Sequence, residues 1–122
     1  MERLKVKKLV LVGFFSALLV GCAGLPKDEL LKLKPELNLY SSKTVDKYFE
    51  CIKPVWINHL GYSEEKLPNG IRLLATPNKS IIRFILDITE ENGGSRVKFY
   101  NGTRTTFALG DILFPIENCT KY

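Results

Sequence analysis

The chain has 122 residues, 45% of them hydrophobic and 25% charged, a length and balance that fit one small globular domain and leave no room for a second core. Its formal net charge of +5 is unevenly spread: residues 1–21 hold Arg3, Lys5, Lys7 and Lys8 against Glu2, which leaves 14 basic and 12 acidic side chains in the rest, a net of +2. A nearly neutral body without a clustered basic face gives no support to nucleic-acid binding, and that class is set aside.

The basic start is followed by an apolar run, Leu9 to Val20, broken only by Gly13 and Ser16, which ends in Leu19, Val20, Gly21, Cys22. The run is shorter than the roughly 20 apolar residues a membrane-spanning helix needs. A cysteine is also foreign to the cut site of an ordinary secretory signal, which wants a small residue there. The segment resembles a bacterial lipoprotein signal peptide ending in a lipobox. The resemblance implies that residues 1–21 are removed and that Cys22 is the lipidation site, its sulfur carrying diacylglycerol and its new amino terminus acylated. Several buried chains together hold a protein on a membrane where a single one does not. Because Ala23 rather than Asp follows Cys22, the resemblance also implies sorting to the periplasmic face of the outer membrane in a Gram-negative cell.

With Cys22 given to lipid, Cys51 and Cys119 form the one possible disulfide in an oxidising compartment. Closing so long a loop stabilises by roughly 4 kcal/mol in the chain-entropy model. A metal site is not expected, since no CxxC spacing occurs and one histidine cannot complete a Cys2His2 set. No cofactor motif is found either.

Residues 22–42 read as the lipidated N-terminus and a tether, with Gly24, Pro26 and Pro35 set around Leu30, Leu31, Leu33, Leu37 and Leu39. Lys27–Lys34 suits two helical turns, with Pro26 at the first position and Asp28 and Glu29 near the positive end. Fully extended, the stretch reaches on the order of 60 Å. Its leucines either dock on the domain or lie on lipid, and the residues alone leave both open.

Residues 43–122 read as a single α+β domain. Ser42 or Thr44 caps a helix whose apolar face is Val45, Tyr48, Phe49, Ile52, Val55 and Trp56, with Cys51 at its edge and a kink or break expected at Pro54. After Gly61 the period falls to two. Pro68, Asn69 and Gly70 mark a hairpin into Ile71, Leu73 and Ala75. Ile82, Phe84, Leu86 and Ile88 form the apolar face of a central strand, and Asn92, Gly93 and Gly94 turn into a strand containing Val97 and Phe99. The tail allows another strand at Thr105–Leu109 and an irregular or short helical return over Ile112–Cys119. The expected fold is one N-terminal helix on a three- to four-stranded antiparallel sheet, with the tail tied back by the disulfide.

No catalytic constellation is found. His59 stands alone at a helix end, a place for a capping or surface residue, and Glu64–Glu65 and Glu90–Glu91 are adjacent pairs that point to opposite faces in strands. Asn78-Lys79-Ser80, Asn101-Gly102-Thr103 and Asn118-Cys119-Thr120 match the glycan acceptor pattern, by chance in a bacterial lipoprotein. The expected outer sheet face mixes Leu74, Ile81 and Ile85 with the candidate contacts Arg72, Arg83, Arg96, Lys98 and Tyr100. It suits an envelope protein or an anionic polymer, or is a solvated face partly covered by the tail.

Cys51, Ile52 and Trp56 on the first helix, Gly94, Ser95, Arg96, Val97 and Tyr100 at a later strand, and the final Cys119 resemble a group of small uncharacterised bacterial lipoproteins. That resemblance implies a helix-on-sheet lipoprotein with a terminal disulfide, and no activity. A second set, Tyr48 with Cys51, Gly94-Ser95 and Gly110-Asp111, resembles periplasmic inhibitors of C-type lysozyme, which implies an all-β barrel; the helical stripe from Val45 to Trp56 runs against it. A third class is a phage- or mobile-element-type lipoprotein masking an envelope receptor. The expectation drawn from all of these is a non-enzymatic interaction or structural module.

Overall fold

Among the described residues, strand alternation and helical stripes combine into eight elements in chain order: α1 (Lys27–Leu31), β1 (Leu37–Ser41), α2 (Val45–Trp56), β2 (Tyr62–Leu67), β3 (Gly70–Ala75), β4 (Phe84–Glu91), β5 (Gly94–Asn101) and α3 (Gly110–Lys121). The structure, a computed structural model, describes residues 24–77, 81–103 and 110–122. The expected signal segment, Cys22, the Asn78-Lys79-Ser80 match and the strand expected at Thr105–Leu109 lie outside the described residues.

The strands form one antiparallel sheet in the order β1-β5-β4-β3-β2. Five strands replace the three or four expected, because Leu37–Ser41 pairs with β5 from Leu37↔Phe99 to Ser41↔Ser95. The leucines of the N-terminal stretch therefore dock on the domain. Leu37 and Leu39 pack on the main core, and Leu30 of α1 is fully buried on the opposite face.

One face of the sheet, built by Leu73, Ala75, Phe84, Leu86, Ile88, Val97 and Phe99, meets Tyr48, Ile52 and Trp56 of α2 and Ile116 and Cys119 of α3. The spacing of four between the α2 residues keeps them on one helical stripe. Thr44 caps that helix, its hydroxyl accepting from the Lys47 N–H, and the helix runs through Pro54 to Trp56 without the expected break. Of the two returns expected over Ile112–Cys119 the tail takes the helical one, as a helix of 12 residues. It is fastened to the rest by the Cys51–Cys119 disulfide, by the Tyr48 hydroxyl donating to the Ile116 carbonyl at 2.7 Å, and by the Ser41 hydroxyl donating to the Thr120 carbonyl at 3.1 Å.

The other face carries a smaller cluster, in which Leu74, Ile85 and Tyr100 are covered by Leu30 with Leu25, Leu31 and Ile82. Ile82 is a correction: it does not continue the row of Phe84, Leu86 and Ile88. The chain bends at Arg83 before β4 begins, which moves Ile82 to the second cluster and into a bridge with Leu25. The β4–β5 hairpin turns on Asn92 and Gly93, both at positive φ (51° and 80°), as a two-residue type I′ turn demands. Among the described residues no helix is long and apolar enough to cross a membrane.

Candidate functional site

The strand register lays the outer face out in rows. Leu74, Ile85 and Tyr100 make an apolar row under α1. Next comes Glu65, Arg72, Asp87, Lys98 and Asn38, one from each strand, and then Thr89, Arg96 and Tyr40.

These pairings answer the expected contact residues one by one. Arg72 grips Asp87 with two bonds, 2.7 Å from Nε and 2.9 Å from Nη2, and the hydrogen bond to that carboxylate is the first cause that raises its pKa. Arg96 reaches Glu91 at 2.8 Å and Asn38 at 3.3 Å, and its guanidinium lies over the Tyr40 ring. Tyr100 is buried in the small cluster, and burial raises its phenol pKa. Lys98 lies beside Asp87 in the middle row. Arg83 is exposed at the bend over the Phe84 ring, six residues along from Thr89, the strand partner of Arg96, so about 20 Å of strand separates the two arginines. The five residues thus do not form one patch. In the middle row the charges alternate in sign, Glu65, Arg72, Asp87 and Lys98.

Glu64 and Glu65 point to opposite faces, as adjacent strand residues must, and each ties a helix to the edge strand. Glu64 meets Lys53 of α2 at 3.4 Å, and Glu65 meets Lys27 of α1 at 2.8 Å. His59 is not a free surface residue but half-buried. Its ring packs edge-on against Trp56 at 5.0 Å and tilted against Phe84 at 6.0 Å, and burial first, then the Arg83 charge, lowers its pKa. The buried nitrogens Trp56 Nε1 and His59 Nε2 have no partner among the described residues.

One hollow among the described residues is announced by no sequence pattern. A cleft of about 530 Å³ opens where the first turn of α2 meets the β2–β3 and β4–β5 turns. Val45, Phe49 and Ile71 give it an apolar floor, and Asp46, Glu90 and Lys66 give it a charged rim. Its residues come from three separate segments, so no motif spacing could collect them. The Thr44 hydroxyl on its wall is already engaged as the helix cap, and among the described residues no cluster of His, Cys, Asp and Glu is able to hold a metal ion. The cleft therefore offers shape, apolar surface and two carboxylates against one ammonium. The middle of the sheet face offers charges that are already paired.

Comparison of the chain with protein-family models, with curated proteins and with solved structures finds no match.

Proposed function

We propose that the chain is a non-enzymatic bacterial envelope lipoprotein, acylated at Cys22, whose domain binds an envelope protein through the cleft between α2 and the two hairpin turns. The observation that carries the binding reading is where that cleft lies. Leu25 bridges Ile82 just before β4 begins, whereas Glu90 and Gly93 line the cleft where β4 ends. Eight residues of strand, about 26 Å, lie between the two. A domain attached through its N-terminus holds such a cleft away from the membrane and open to partners. Its chemistry favours a protein over an anionic polymer, because the rim carries an excess of negative charge and the floor suits apolar side chains.

The test is a photo-reactive amino acid placed in living cells at Asn69 on the cleft wall and, separately, at Lys98 on the outer sheet face. Both side chains leave the core intact. Adducts of one discrete mass from Asn69 alone are expected, and Lys66→Glu should weaken them by making the rim still more acidic. Adducts from Lys98 alone would return the contact to the sheet face, and adducts from neither would contradict a binding role.

A further inference from the structure

The chain between the acylated cysteine and the folded domain is too short to be a tether, and this fixes which part of the surface meets the membrane. Gly24 is buried, and a Cβ on it would sit 2.3 Å from Ile81 Cγ2, so the backbone is already packed against the domain there. Leu25 follows with hydrogen bonds in both directions to Ile82. Leu25 lies three residues after Cys22, a reach of about 10 Å at most. That is comparable to the headgroup layer, about 5–8 Å deep on each side of the hydrocarbon.

We propose that the end of the sheet where the chain enters docks directly on the phospholipid surface, through Ile57, Leu60 and Arg83; this rests on the lipoprotein reading. Local contacts gather these residues at that end. Gly102 donates to the Arg83 carbonyl, Arg83 lies over Phe84, Phe84 meets His59, and Thr76 donates to Gly61 next to Leu60. Ile57 and Leu60 follow the last turn of α2 at 50% and 73% exposure, large aliphatic side chains left in the open with no core to fill. Arg83 is exposed and has no acidic partner among the described residues. Two aliphatic groups and a free guanidinium within reach of the anchor suit acyl chains and anionic headgroups together. Under this arrangement the acyl chains hold the protein on the bilayer, and the docked end sets its orientation, with the cleft pointing outward.

The experiment uses acylated mature protein on vesicles of phosphatidylethanolamine and phosphatidylglycerol. An environment-sensitive fluorescent amino acid replaces Leu60 in one sample and Asn69 in another, which leaves the cysteine content unchanged. Both should float with the vesicles. The Leu60 probe should shift to the blue and lose most of its emission to headgroup spin-labelled lipid, while the Asn69 probe stays as in water. Arg83→Glu should reduce the quenching at residue 60 without releasing the protein. Flotation with an unquenched Leu60 probe would overturn the docked orientation and leave lipidation standing. Failure to float would overturn the lipoprotein reading and the docking with it.

Discussion

His59 shows how a lone histidine can be drawn into the packing of a fold. Its N–H donates to the Trp56 carbonyl at 3.0 Å and its ring fills the corner between Trp56 and Phe84. Burial and Arg83 both act against the imidazolium, so the folded-state pKa lies below the ordinary 6.5 of the unfolded chain. The unfolded state then binds more protons through that window. This contribution to stability is complete above about pH 6.5 and fades as the pH falls below it, the usual pKa of an unperturbed histidine. Urea midpoints should therefore drop between pH 7 and pH 5, and His59→Gln should flatten that slope. An equal slope in the variant would show that His59 is not the group responsible. The sequence revealed that His59 was unaccompanied; its aromatic neighbours come from another element, which no local pattern could report.

The N-terminal elements change what the domain is. The alternation of Leu37, Asn38, Leu39, Tyr40 and Ser41 is a strand pattern, but its partner lies some 55–60 residues away in β5, and the prolines and leucines before it read as a linker. Local signals such as the N-cap at Thr44, the Asn92-Gly93 turn and the stripe of Tyr48, Ile52 and Trp56 were legible because each is satisfied within its own element or hairpin. The fifth strand, the bend at Arg83 and the extra turns of α3 depend on pairing or packing across the molecule. α1 matters for the same reason. Leu30 is fully buried where it covers Leu74, Ile85 and Tyr100. Leu30→Ala should lower unfolding stability by about 2–4 kcal/mol in denaturant titration, as for other buried leucines. A loss within experimental error would mean that the stretch is a loosely attached tether after all. In the row beside the one α1 covers, Arg72, Asp87 and Glu65 already satisfy one another.

At the scale of the whole molecule, the sheet separates two jobs. The core between the sheet and α2, closed by α3 and the Cys51–Cys119 bond, supplies stability in a domain small enough to need a covalent staple. The two ends of the strands carry the proposed contacts, lipid at the entry end and a protein partner at the cleft. The paired cysteines and the basic, apolar start of the chain could be read directly, because composition and order alone carry them. The cleft could not, because it exists only once three segments meet. Everything proposed about orientation depends on Cys22 being the point of attachment. Cells expressing the full chain and the Cys22→Ser variant should be grown with labelled palmitate and the protein recovered from both. The account predicts label in the wild-type chain and none in Cys22→Ser, which should remain at precursor mass. Label retained by Cys22→Ser, or absent from the wild-type chain, would contradict it.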